Sequence, residues 1–125
     1  WNEATVAPVV NGFFHHPPAA AVLAEYRKIA LSASHAAAVE AARSNPVNRS
    51  FDDLASIRVP TMIIQGRHDV VRTPEHGGEM RDRIAGSMLA VIEGAGHTPQ
   101  LEQPQRFHDI ALPFLLQERQ RPRQA

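Results

Sequence analysis

Two short apolar runs, Thr61-Met62-Ile63-Ile64-Gln65 and Met88-Leu89-Ala90-Val91-Ile92, limit what this chain can fold into more than any other feature. Gly66 closes the first and Gly94-Ala95-Gly96 closes the second. Short apolar runs bounded by turn residues suit strands buried on both faces. Between them, Pro74 to Ala85 reads as a helix opened by proline, with Thr73 as N-cap and Gly86 as its stop. Strand, helix, strand at these lengths predicts a right-handed βαβ crossover with parallel strands. A last helix from about Pro104 to Glu118 presents Phe107, Ile110, Ala111, Phe114 and Leu115, with a kink expected at Pro113. The fold class is therefore α/β. A parallel pair needs further strands beside it and helices on both faces, so the pattern asks for more sheet than these two runs supply.

The preceding half has a different texture. Val6, Val9, Val10, Phe13 and Phe14 recur at spacings of one helical face, and Pro8 predicts a helix that is short or starts near it. His15-His16-Pro17-Pro18 breaks that pattern. Ala19 to about Arg43 is rich in good helix formers, with Val22, Leu23, Tyr26, Ile29 and Ala30 as an apolar stripe. Ser32-Ala33-Ser34 divides this stretch into two helices. Ser44 to Asn48 is turn chemistry and marks the main boundary, followed by one helical turn at Phe51 to Leu54. The tail from Arg119 to Ala125 is polar and expected to be mobile.

Composition excludes several function classes. Thirteen basic and 13 acidic side chains balance, so no electrostatic drive toward nucleic acid or an anionic membrane follows. Cysteine is absent, which rules out disulfides, thiolate nucleophiles and cysteine-based zinc sites, and suits a cytoplasmic protein. No apolar run approaches the ~20 residues that a spanning helix requires. The chain opens on Trp1 without a charged-then-apolar leader, which suits a processed start or a partial sequence. Asn48-Arg49-Ser50 fits the glycosylation triplet, a pattern common by chance.

The chemistry gathers at the ends of the two strands. Ile63-Ile64-Gln65-Gly66-Arg67-His68-Asp69 and Val91-Ile92-Glu93-Gly94-Ala95-Gly96-His97 each run from an apolar strand through glycine to a proton-handling residue. Reactive groups in open α/β sheets collect at the carboxyl ends of strands, so adjacent parallel strands bring Asp69 and His97 to one edge. Taken singly, Asp69 is also an ordinary turn residue and His97 an ordinary loop histidine. Gly94 and Gly96 permit the backbone angles that a loop aiming an imidazole across the edge needs.

From Ile57 to Leu116 the chain resembles the last two strands and helices of the α/β-hydrolase superfamily. Val59 to Asp69 resembles the family's segment ending in the triad acid, and Gly94 to Pro104 resembles its segment carrying the triad histidine. The family order is nucleophile, acid, base, and Asp69 precedes His97. The resemblance implies Asp69 as the acid, His97 as the general base, residues 1–50 as the C-terminal part of a helical cap, and residues 51–125 as the C-terminal part of the core. It implies no cofactor and no metal, a small-molecule substrate, and neither a nucleic-acid nor a membrane partner. The family acts on carboxylic esters, C–C bonds of cleaved aromatic rings, halides, epoxides and peroxy substrates. The helices after Phe13-Phe14 resemble the lid of ring-cleavage C–C hydrolases, so an ester or a C–C bond is the expected target.

One departure is decisive for the expected activity. The family nucleophile sits in Gly-x-Ser-x-Gly, and Ser32, Ser34, Ser44, Ser50, Ser56 and Ser87 all lack those glycines. The oxyanion-hole loop is missing as well, so an acid and a base alone have nothing to activate. The expectation is a partial hydrolase whose nucleophile belongs to an N-terminal core portion outside the chain. The alternatives are a binding or regulatory domain that lost the nucleophile, or one part of a split enzyme. An exposed sheet edge invites association, a homo-oligomer included.

Other residues carry weaker readings. Glu102 either braces the histidine loop through hydrogen bonds or favours the last helix's N-terminus. His68 is structural or solvated. His15, His16 and His35 lack the spacing and carboxylates of a metal site. Phe13, Phe14 and Tyr26 pack between helices or line an apolar pocket. Gly-Ala-Gly lacks the third glycine and the helix of a dinucleotide fingerprint.

Overall fold

The computed structural model describes residues 1–44 and 53–120. The turn expected beyond Ser44, the Phe51-Asp52 pair, the Asn48-Arg49-Ser50 triplet and the last five residues of the tail lie outside the described residues.

The first unit is helical: α1 (Glu3–Asn11), α2 (Ala20–Ser32) and α3 (His35–Ser44). The start of α1 is set by Asn2, not by Pro8. The Asn2 side chain accepts the Thr5 N–H at 3.2 Å, and the Thr5 hydroxyl accepts the Asn2 N–H at 3.0 Å. This reciprocal cap satisfies two otherwise orphaned donors, so the helix begins early and carries Pro8 inside it. Val6, Val10 and Phe14, spaced by four, form the buried core with Phe13, Leu23, Tyr26 and Ala30 packed against them. Phe14 meets Tyr26 edge-on with centroids 5.6 Å apart, a favourable quadrupole arrangement. Val9, Val22 and Ile29, expected on the same stripes, are exposed. The α1–α2 contact covers only a narrow strip of each helix. The break between α2 and α3 falls at Ala33, in extended backbone, and Ser34 Oγ accepts the Ala37 N–H at 3.1 Å.

The second unit begins with a 3-10 turn at Leu54–Ser56 and continues as β1 (Met62–Gly66), α4 (Pro74–Arg83), β2 (Met88–Ile92), α5 (Pro99–Glu102) and α6 (Pro104–Gln120). The strands are parallel, with Met62 opposite Met88 and Gly66 opposite Ile92. The crossover helix α4 ends two residues before the expected Ala85, and Gly86 at φ 74° makes the turn into β2. The single turn α5 was not foreseen. It forms because Thr98 C=O accepts the N–H groups of Leu101 and Glu102 at 2.9 and 3.1 Å. Helix α6 continues through Pro113 and past the expected Glu118.

The strands are not buried on both faces as their apolar sequences predict. Ile63 is buried but Met62 and Ile64 only partly so, and in β2 only Ile92 is buried. Helices α4 and α6 each pack against both strands. Among the described residues, however, the sheet has only these two strands, so both edges stay open. Leu112, Leu115 and Leu116 of α6 are each more than half exposed, an apolar surface the described residues leave uncovered.

Candidate active site

The in-line register of β1 and β2 delivers the two loops after Gly66 and Ile92 to the same edge. Their backbones are tied together: Arg67 N–H donates to Ile92 C=O, and His68 N–H to Ala95 C=O, both at 2.9 Å. Contact is closest at Gly66, where a side-chain carbon would lie 2.0 Å from Gly96 O and 2.5 Å from Ala95 O. This glycine is required for space, whereas Gly94 is required for its backbone angle, φ 69°.

The approach brings Asp69 against His97, with Asp69 Oδ2 2.9 Å from His97 Nδ1. The Asp69 side chain is 4% exposed and that of His97 35%. The acid is thus enclosed while the imidazole reaches solvent. Asp69 Oδ1 accepts the N–H groups of Val71 and Arg72, each at 2.8 Å. Oδ2 also accepts from Gln65 Nε2 at 3.1 Å. These donors fix the carboxylate in place, and holding Nδ1 leaves Nε2 as the nitrogen able to exchange protons with a reactant.

The histidine loop is held from the other side by the first unit. His97 N–H donates to Phe13 C=O at 2.8 Å, and the two rings lie 5.4 Å apart. Glu102 Oε1 accepts the Gly96 N–H at 2.7 Å, and its Oε2 accepts the N–H groups of His15 at 2.6 Å and His16 at 3.0 Å. One carboxylate therefore pins both the loop carrying His97 and the segment after α1. The bracing reading of Glu102 describes these contacts, and charge-assisted bonds to backbone N–H groups are the strong kind.

The chain is similar over most of its length to solved hydrolases. It superposes on the esterase EaEST from Exiguobacterium antarcticum with a TM-score of 0.84 and 24% identity, covering 90% of this chain and 42% of that one. It superposes on a hydrolase from Pseudomonas aeruginosa with a TM-score of 0.76 and 29% identity, covering 90% and 43%. Its fold is that of the C-terminal portion of an α/β-hydrolase. Among curated relatives, a Pseudomonas putida protein named 2-hydroxy-6-oxononadienedioate/2-hydroxy-6-oxononatrienedioate hydrolase 2 is 36% identical over 81 residues, which is 62% of this chain and 28% of that protein. No family model matches the chain. The chain thus spans less than half the length of the α/β-hydrolases it superposes on, and corresponds to their C-terminal portion.

Around the carboxyl edge of the two strands, the remaining sequence candidates differ in what they touch. His68 is exposed and stacks on His15, with centroids 3.7 Å apart and planes 12° from parallel, and His16 lies 4.2 Å from His15. Phe14 and Tyr26 belong to the helical core, while Phe13 reaches the His97 ring. No cluster of three or more His, Cys, Asp or Glu is placed to hold a metal ion among the described residues. No described helix is long and apolar enough to cross a membrane. Sequence reading missed Gln65, whose only signal was a polar residue inside an otherwise apolar strand.

Acid should loosen the docking of the 13–16 segment. Desolvation, then the charges of His68 and His16, hold the His15 imidazole below its ordinary value of 6.5, with Glu102 opposing. A base held low binds its proton more weakly folded than unfolded. Its stabilising contribution is therefore intact above pH 6.5 and is lost as pH falls through the lowered folded value. Amide hydrogen exchange at His15, His16 and His97, corrected for intrinsic rates, should show less protection at about pH 5 than at about pH 7.5. Equal protection at both would remove the stack as the cause.

Proposed function

We propose that this chain supplies the acid, Asp69, and the general base, His97, of an α/β-hydrolase whose serine-type nucleophile is contributed from outside it. Residues 1–50 are then the C-terminal part of a helical cap, and residues 51–125 the C-terminal part of the core. The observation that carries the reading is the 2.9 Å contact between a buried, four-fold hydrogen-bonded carboxylate and an imidazole about one-third exposed at the carboxyl edge of two parallel strands. His97 Nε2 takes the nucleophile's proton as it attacks the substrate's carbonyl carbon. The imidazolium gives that proton to the leaving group, and His97 then draws a proton from the water that releases the acyl group. Asp69 stays ionised, keeps the proton on Nδ1 and stabilises the imidazolium. The substrate is a small molecule cleaved at an ester or a C–C bond. The esterase and the Pseudomonas putida hydrolase among the relatives support both chemistries and do not choose between them.

The test is to read the coding sequence upstream of Trp1 and assay the whole product on p-nitrophenyl butyrate beside a His97→Ala variant. Turnover that falls by several orders of magnitude in the variant supports the reading. Turnover that survives the substitution, or an upstream frame with no nucleophile, defeats it.

A further inference from the structure

We infer that Gln65 is a positioning residue for the Asp69–His97 pair, acting through the carboxylate rather than on substrate. The inference rests on the proposed roles of that pair. Gln65 is the penultimate residue of β1, two residues before the loop that carries Asp69, and it is 8% exposed. Its Nε2 donates to Asp69 Oδ2, the oxygen that faces His97 Nδ1, and also to Arg72 C=O. Both partners are acceptors, so the amide has one orientation and its NH2 must face the acid. Its Oε1 faces α4 at Gly77, where a side-chain carbon would lie 3.0 Å from that oxygen and 3.1 Å from Leu89 Cδ1. The space for the Gln65 side chain is therefore made by a glycine of the crossover helix.

The arrangement does two things at once. Arg72 N–H binds Asp69 Oδ1 while Arg72 C=O binds Gln65, so one amide holds both the carboxylate and the turn that cups it. Without Gln65, Asp69 is fixed mainly through Oδ1 by loop backbone, and Oδ2 is free to rotate out of line with Nδ1. Gln65 is anchored in a strand, and supporting groups on regular elements hold a site more closely than groups on loops. At metal sites, outer partners that orient the ligating side chains typically change performance by about 10- to 100-fold, and a loss at the low end of that range is expected for an amide orienting this carboxylate.

The experiment uses the full-length protein that contains this chain, on p-nitrophenyl butyrate, with Gln65→Met, Gln65→Glu and His97→Ala. Gln65→Met keeps length and removes the donor. It should lower kcat about tenfold with KM within about twofold, and it should shift or broaden the low-field proton resonance of the His97 Nδ1–H. Gln65→Glu is isosteric and sets a carboxyl against the Asp69 carboxylate. Near pH 6 a proton shared by the two can replace the amide N–H, whereas near pH 8 two charges repel. Its deficit relative to wild type should therefore be about tenfold larger at the higher pH, which a merely structural role would not produce.

The inference is overturned if both variants keep kcat within about twofold, if the Gln65→Glu deficit is equal at both pH values with the resonance unmoved, or if both variants unfold in thermal melts. Should Gln65→Met alone unfold, the isosteric variant carries the test. Turnover surviving His97→Ala defeats the hydrolase reading itself. Turnover lost in His97→Ala but unaltered in the Gln65 variants defeats only the role of Gln65.

Discussion

With Asp69 and His97 in their proposed roles, replacing Asp69 by asparagine should lower kcat of the full-length protein by about four orders of magnitude while changing KM little, because it moves one proton to the wrong ring nitrogen. The surroundings dictate how the new amide must sit. Val71 and Arg72 direct two backbone N–H groups at Oδ1, so the asparagine oxygen has to take that position. Its NH2 then stands where Oδ2 stood, facing His97 Nδ1 at about the same distance. A donor there makes Nδ1 the acceptor and puts the proton on Nε2, which can no longer act as a base. The same NH2 also faces Gln65 Nε2, donor against donor, so the buried site loses the hydrogen bond between residues 65 and 69. That orphaned pair should cost about 1–3 kcal/mol of stability, a separate effect readable by denaturant melts. Steady-state kinetics on p-nitrophenyl butyrate gives the catalytic loss. A loss below about tenfold would mean that Asp69 does not set the tautomer.

Gly66→Ala should be the most damaging small substitution in the chain. Every atom the added carbon would meet is backbone: Gly96 O at 2.0 Å, Ala95 O at 2.5 Å and Ala95 C at 2.8 Å. No side chain can swing aside, so the two loops must part by more than an ångström. Parting them stretches the His68 N–H to Ala95 C=O bond and pulls His97 off Asp69. The expected destabilisation is about 3 kcal/mol or more, with activity lost in the fraction that still folds. Urea unfolding compares the variant with Gly78→Ala, a control where nothing lies within 4 Å of the added carbon. Similar stability of the two variants would show that the loops separate at no cost, contrary to the packing described.

Much of the architecture is legible along the chain. The strands, the helix between them and the break at Ala33 are encoded by neighbours in sequence: apolar runs, prolines that open helices and residues that end them. The parallel pairing follows from the crossover, and with it the placement of Asp69 and His97 at one edge. Errors cluster where the reading had to know what lay opposite. The strands were expected to be buried on both faces because their side chains are apolar, yet burial depends on what packs on those faces, and among the described residues α4 and α6 cover them only in part. Helix α1 was expected to take its start from Pro8, because a proline is conspicuous and the reciprocal cap between Asn2 and Thr5 is not.

By itself, the sequence determined that Asp69 and His97 sit just past the carboxyl ends of two neighbouring strands, since periodicity and turn chemistry are local properties. Only the tertiary structure decided what holds them. Glu102 reaches His15 and His16 across more than 80 residues, His68 stacks on His15, and Gln65 turns its amide toward a carboxylate four residues on. These contacts depend on how the helical unit and the sheet edge pack against each other, and no spacing along the chain records that packing.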